Sequence, residues 1–506
     1  MSPTKPLSTR KKVLVVGSGA GGLAASVLLQ HGGFEVTLLD KNERVGGKLG
    51  AESIDGYTFD TGPSILTLPT VLRELFALTG VCLTDYLELV PLDPQWRCWF
   101  EDGSHFDFRA GEEAMLAEVR RIAPEDEEGF RKLLLKSREL YRISEDNFFF
   151  RDYANVMDVI RGGESKALEA MRLMVAIQPH RTFSDLVNHH IKSPRLRQAL
   201  EHLTQYVGSS PFLSPAILGC LIHVQFVKGC WYPMGGMNII SSALSKRFQE
   251  LGGKIELGRT VSQVFTDKDS IRGVETSDGQ MWMADEYVFN MDVNTFQESI
   301  GRAPNKKEGI ACSGVTVFLG LNKRVKNLEH HNFFFSKSHA REFEDIYDRG
   351  LPTPDPTVYV CVPSLTDPSV APKGKENVFL LIHAPIDNGK TNWDTYLPTY
   401  VQLVEDKLAR MGFNVEDYGV ELRQALSPRG IGTKWNTFRG NIYGNASHGK
   451  LAGGFKPGNA SREFRNLQFA GGTVNPGAGV PMSLMSGMIA GSNLIQRAHS
   501  LTEIRL

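Results

Sequence analysis

Residues Val13–Lys48 read VLVVGSGAGGLAASVLLQHGGFEVTLLDKNERVGGK, and the order of elements in this stretch decides the fold. The run Val13-Leu14-Val15-Val16 has the unbroken hydrophobicity of a parallel strand buried on both faces. It stops at Gly17-Ser18-Gly19-Ala20-Gly21-Gly22. An Ala/Leu-rich helical stretch follows to Gln30, and a second strand over Glu35 to Leu39 ends at Asp40. Gly17 permits a tight turn, Gly19 lets backbone approach a pyrophosphate, and Gly22 lets helix pack on strand. The helix start at Ala20 offers unpaired N–H groups and a partial positive charge to phosphates. Asp40, 18 residues past Gly22, is placed to accept hydrogen bonds from ribose hydroxyls. A glycine-rich turn alone would fit any α/β connection. Strand, glycines, helix, strand and acid together point to a dinucleotide.

The next residues select the dinucleotide. Glu43-Arg44-Val45-Gly46-Gly47-Lys48 resembles the Arg-x-Gly-Gly extension of flavoproteins in the amine-oxidase and carotenoid-desaturase superfamily. Two further glycines let backbone reach a second part of a long, bent cofactor, which favours FAD over NAD. The expected contacts here are Lys41, Arg44, Gly47 and Lys48.

Two more segments carry the same resemblance. Gly56-Tyr57-Thr58-Phe59-Asp60-Thr61-Gly62-Pro63-Ser64 is similar to the GFxFDxGP segment of carotenoid desaturases, where the chain passes near the isoalloxazine, so Gly62, Pro63 and Ser64 join the expected contacts. Gly229-Cys230-Trp231-Tyr232-Pro233-Met234-Gly235-Gly236-Met237 resembles the GxWYPxGGM sequence of acyclic carotenoid desaturases. At the carboxyl end, Asn466 to Gly472 reads as a strand ending in glycines, then a loop through Asn475-Pro476-Gly477-Ala478-Gly479-Val480-Pro481, then a helix to about Arg497. This segment resembles the HPGxGxP signature of the family, with Asn475 in place of the histidine often found there. Proline suits the first turn of a helix, and the helix start can face a flavin ring that becomes negative on reduction. Gly471, Gly472, Gly479, Val480 and Pro481 are the expected contacts, and Val261 is expected to meet adenine through its backbone.

The resemblance implies an α/β fold: a Rossmann-like FAD-binding domain with an inserted mixed α+β substrate domain. The expected division is 1–85, 232–300 and 431–506 for the FAD-binding domain, and 86–231 (a helical insertion) and 301–430 for the substrate domain. The implied reaction is FAD-dependent desaturation of an acyclic C30 or C40 polyene. Hydride would pass from an allylic carbon to flavin N5 and a proton would leave the adjacent carbon. Asp60 and His223 are the acid/base candidates, each with a structural alternative: a loop-capping carboxylate and a hydrogen-bonded core histidine. Two rival readings are another flavin oxidase, such as an amine oxidase, and a non-catalytic prenyl-binding escort protein.

Composition narrows the class. A formal net charge of −1 gives no support to nucleic-acid binding. The six cysteines form no CxxC pair and read as reduced, mostly buried residues of a cytoplasmic protein. No HExxH or similar spacing appears, so no metal is expected. The basic start MSPTKPLSTRKK precedes an apolar run that is the first strand, not a signal segment. No run of 18 apolar residues exists to span a bilayer. An insoluble polyene must nevertheless be collected from a membrane, so peripheral attachment is expected through the helical insertion, with Lys192, Arg195 and Arg197 near headgroups. Phe148-Phe149-Phe150 and Phe333-Phe334-Phe335 read as core packing or as the lining of a hydrophobic tunnel.

Overall fold

A computed structural model describes residues 10–153, 178, 180–303, 309–449 and 455–499. The basic residues 1–9 and part of the helical insertion, 154–177 and 179, lie outside the described residues.

The first sheet is parallel throughout, in the order Leu467–Phe469, Glu286–Phe289, Lys12–Val16, Glu35–Leu39, Lys254–Glu256. The helix Ala20–His31 connects its two central strands and is buried along nearly its whole length. It is covered by the helix Val480–His499, so the two ends of the chain meet across one contact. Glycines make that crossing close: a Cβ on Gly487 would stand 2.0 Å from the Gly21 carbonyl oxygen.

The second sheet has seven strands, in the order Val420–Leu426, Ser313–Leu321, Glu376–Ala384, Val358–Cys361, His331–Phe334, Trp96–Trp99, His105–Phe108. Its pairs are antiparallel except His331–Phe334 with Trp96–Trp99. Successive side chains of a strand point to opposite faces, and here that alternation divides the labour. Val315, Val317, Leu319, Leu380 and Ile382 pack against Tyr400, Val404 and Leu408 of the helix Trp393–Arg410. Thr316, Phe379 and Leu381, one residue out of step, face the opposite way and line a cavity. The same rule resolves the second phenylalanine triplet. Phe334 packs on the helix side, while Phe333 and Phe335 turn to the other core.

The described part of the helical insertion includes Glu112–Ile122, Glu127–Asn147, Phe183–His190 and Pro194–Glu201, followed by short helical turns from His202 to Lys228. The helix Glu127–Asn147 runs unbroken to its end because Leu140, Tyr141 and Ser144 continue its buried stripe. Among the expected basic contacts, Arg195 pairs with Asp102 and Arg197 donates to the Ile191 carbonyl at 2.5 Å, while Lys192 is exposed. All six cysteines are free, and five are buried.

Candidate active site and its two cavities

Two adjoining cavities occupy the space between the sheets. The first, about 350 Å³, runs from the Gly17 turn past Val261 to the start of the carboxyl-terminal helix. Its floor is built by close backbone approach. Gly17 has φ +100°, and a Cβ on Gly22 would meet the Gly17 carbonyl oxygen at 2.0 Å. Gly22 therefore packs helix on strand and does not touch the cavity, whereas Gly17, Gly19 and Ala20 line it. The second glycine pair folds onto this turn: the Gly46 N–H donates to the Ser18 carbonyl at 3.0 Å.

One side chain outside the glycine segments organises the turn. Asn290 follows Glu286–Phe289, and its amide donates to the Gly17 carbonyl at 3.2 Å. Cβ atoms placed on Gly17, Gly19, Gly21, Gly22 or Gly471 would each come within 3.5 Å of Asn290. The amino-terminal and carboxyl-terminal glycine clusters thus converge on a single side chain. No local motif marks it, since five glycines from distant segments meet only in the folded sheet.

Asp40 lies on the cavity wall with its carboxylate already engaged. Oδ2 accepts from the Ser18 N–H and hydroxyl, both at 2.6 Å, and Oδ1 accepts from the Asn42 N–H at 2.8 Å. The expected ribose acceptor is also the brace of the glycine turn. Lys41 and Lys48 line the cavity too, donating to the carbonyls of Lys434 at 3.1 Å and Ile442 at 3.3 Å. Burial pushes both ammonium groups below the usual lysine range, opposed by the carboxylates of Asp40 and Asp292 respectively. Arg44 departs from expectation: it is exposed and off the wall, because the bend over residues 41–45 presents Gly46 and Gly47 inward and Arg44 to solvent. Gly47, Gly62, Pro63, Val261, Gly471, Gly472, Gly479 and Val480 all line the first cavity, whereas Ser64 and Pro481 line only the second.

The fit to a dinucleotide rests on two observations. Gly479 has φ +107° with open space where a Cβ would stand, at the foot of the helix Val480–His499. Thr316 and Thr437 present buried hydroxyls at this wall that have no partner among the described residues. A long ligand rich in acceptors would use both.

The second cavity, about 270 Å³, shares Gly62, Pro63, Leu381, Tyr443 and Ala478 to Val480 with the first. Its wall is mostly apolar, and Phe148, Phe149 and Phe333 contribute to it, so half of the aromatic triplets line a tunnel while Phe334 and Phe335 serve as packing. Neither acid/base candidate reaches either wall. Asp60 accepts from the Met237 N–H at 2.9 Å and caps the segment that begins the helix Asn238–Glu250; burial raises its carboxyl to about 7. His223 packs tilted against Tyr141, 4.7 Å between ring centres, and is lowered to about 4 by burial and by Lys228. Asp60 therefore takes its structural alternative, a capping carboxylate, whereas His223 is a buried histidine whose Nδ1 has no hydrogen-bond partner among the described residues. Their positions away from the cavities correct the catalytic expectation.

Against the expectation of no metal, one group of ligand-type side chains clusters among the described residues: His330, His331 and Cys361, with donor atoms within 4.8 Å. His330 Nδ1 shares a hydrogen bond with the Thr366 hydroxyl at 2.7 Å and His331 Nδ1 shares one with the Tyr359 hydroxyl at 2.8 Å.

Residues 20–495 match the family model for flavin-containing amine oxidoreductases. The chain belongs to this family. Within it, the chain is similar to a 4,4'-diapolycopene oxygenase of Methylomonas sp., 33% identical over 96% of this chain and 98% of the relative. It is also similar to a zeta-carotene-forming phytoene desaturase of Myxococcus xanthus, 31% identical over 97% and 95%. Among solved structures, wild-type putrescine oxidase bound to putrescine superposes with a TM-score of 0.61 at 13% identity, covering 97% of this chain and all of that one, a likeness of fold. As a flavin-containing amine oxidoreductase of the carotenoid-desaturase group, the protein is an enzyme whose cofactor is FAD.

Proposed function

We propose that this oxidoreductase desaturates an acyclic carotenoid-type polyene, introducing conjugated C=C bonds with FAD as electron acceptor. The observation that carries the reading is the mostly apolar second cavity abutting the FAD cavity, with Gly62-Pro63 and Ala478–Val480 common to both walls. The names of the two curated relatives point to the same substrate class.

When bound, the flavin supplies the two-electron oxidation of the C–C bond. The chain supplies position and dryness. Gly17, Gly19, Ala20 and the start of the helix Ala20–His31 would hold the pyrophosphate. Asp40 and Lys41 would serve the ribose and Val261 the adenine, and Lys48, Gly471, Gly472, Gly479 and Val480 would serve the flavin. Aromatic and aliphatic side chains exclude water from the polyene, which strengthens every polar interaction at the junction. Among the described residues the second wall has no carboxylate to receive an ammonium, which disfavours an amine substrate. The intact glycine cradle disfavours an escort protein without flavin.

We further propose the five-segment domain division given above, and a cytoplasmic protein attached to the membrane surface. Among the described residues no helix is long and apolar enough to cross a membrane. The helix Glu127–Asn147 packs on Cys220–His223, and this pair exposes Leu135 (58%) and, just beyond it, Val227 (44%), while Leu218, Leu221 and Val224 of the same region line the second cavity. Exposed apolar side chains beside a mostly apolar cavity suit uptake of a polyene from a bilayer. The decisive experiment supplies phytoene, its C30 analogue and a hydroxylated acyclic carotenoid separately to membranes containing the purified flavoprotein. A redward shift of absorption with at least one is expected; no new conjugation with any, despite bound FAD, overturns the reading. Flotation with anionic liposomes should carry wild type upward, and Leu135→Asp with Val227→Asp should leave it in the soluble fraction.

A further inference from the structure

Gln205 stands on the wall of the second cavity and is 4% exposed. Neither its amide oxygen nor its amide nitrogen has a partner among the described residues. A buried amide left unpaired costs more than an average hydrogen bond contributes, so a native chain keeps one for a reason. Local flexibility does not supply that reason. Gln205 sits in the short helical segment His202–Val207, whose end is pressed on Tyr443: a Cβ on Gly208 would fall 2.2 Å from the Tyr443 ring.

The surroundings extend the polarity toward the cofactor. His202, on the same wall, packs edge-on to Phe333 at 5.0 Å and to His383 at 6.3 Å between ring centres. His383 Nε2 shares a hydrogen bond with the Tyr443 hydroxyl at 3.2 Å, and Tyr443 lines both cavities. A run of polar groups therefore crosses a mostly apolar tunnel near the junction with the FAD cavity. The run is uncharged, because burial holds His202 well below the usual imidazole range and lowers His383 to about 4. The ammonium on this wall, Lys456, donates to the Asn445 carbonyl.

We infer that the second cavity is built for a polyene carrying a hydroxyl group, and that Gln205 is the residue that recognises it. This rests on the polyene reading above and narrows it. A hydroxyl both donates and accepts, as the orphaned amide does, so it can pair with Oε1 or Nε2 without introducing charge. A carbonyl can only accept and engages Nε2 alone. A plain hydrocarbon leaves both atoms unpaired, and sites built to bind a hydroxyl discriminate against its absence.

The test uses FAD-loaded protein with liposomes that hold equal amounts of a plain acyclic polyene and its hydroxylated counterpart. Consumption of each is followed by chromatography. Wild type should favour the hydroxylated polyene by about tenfold or more in kcat/KM, with a carbonyl-bearing analogue ranked between. Gln205→Met, similar in volume but without the amide, should collapse that ratio toward one, with flavin absorbance reporting that the variant is folded. Gln205→Asn, a shortened amide, should give an intermediate ratio. Equal use of the two polyenes by wild type, or a ratio unmoved in Gln205→Met, overturns the inference and leaves the desaturase reading standing. Turnover of neither polyene by wild type overturns both.

Discussion

The two cavities share a boundary and are made in opposite ways. The FAD cavity is made of backbone: glycines at 17, 19, 47, 62, 471 and 479 bring the main chain to the ligand, and the structure tolerates no Cβ at several of the supporting positions. The substrate cavity is made of side chains from many separate segments, from Ile65 and Phe149 to Leu221, Phe333 and Met482. A backbone-built site binds one invariant ligand and fails abruptly when changed. A side-chain-built site can be retuned one residue at a time.

That contrast predicts a ladder of effects. The largest belongs to Gly22→Ala, whose new methyl would meet a backbone oxygen at 2.0 Å. Strand and helix must separate, at a cost of about 1–3 kcal/mol or more in stability, and the purified variant should be colourless. Retention of full flavin absorbance would mean that the glycine floor yields as readily as a side-chain wall.

Asp40→Ala comes next. It strips the acceptor from the Ser18 N–H and hydroxyl and from the Asn42 N–H. Leaving these buried donors unpaired should weaken FAD binding by about 1–3 kcal/mol, measured by titrating the stripped protein with FAD. An unchanged dissociation constant would show that the turn needs no brace.

Leu221→Trp probes the other side. Leu221 lines the second cavity and not the first, so flavin content should stay at the wild-type level while polyene turnover falls by about tenfold, or roughly 1.4 kcal/mol. Loss of flavin in parallel would deny that the two cavities are separable.

The smallest effect concerns pH. Burial lowers His383 and His448 to about 4, as it does His223, from an unfolded value near 6.5. Between those limits the unfolded chain binds protons that the folded one refuses. Each such histidine therefore takes stability away as pH falls from about 6.5 toward 4. Asp60, raised to about 7, has the opposite sign and takes stability away as pH rises toward 7. His383→Phe should narrow the gap between thermal midpoints at pH 7.5 and pH 5. An identical gap in the variant would assign the acid sensitivity to groups other than His383, His202 on the same wall among them.

The nucleotide fold, the cofactor and the two ends of the chain that hold it are legible in the order of residues alone. Those features depend on short-range backbone requirements, a positive φ at Gly17 or a helix start at Val480, that only particular residues meet, so they are written locally. Arg44 misled because motif membership fixes backbone shape and not where a long side chain points. Only the folded chain shows that Asn290 joins the two glycine clusters, that Asp60 and His223 lie off both cavity walls, and that Gln205 faces the tunnel. Each of those depends on which strands lie side by side. Asp60 lies 177 positions from the Met237 N–H it accepts from and Asn290 lies 273 from the Gly17 carbonyl, while other assignments turn on the two-residue alternation of a strand whose both faces are buried. Apolar periodicity can say that Ser313–Leu321 is covered on both sides, but only the sheet order says which side is helix and which is substrate.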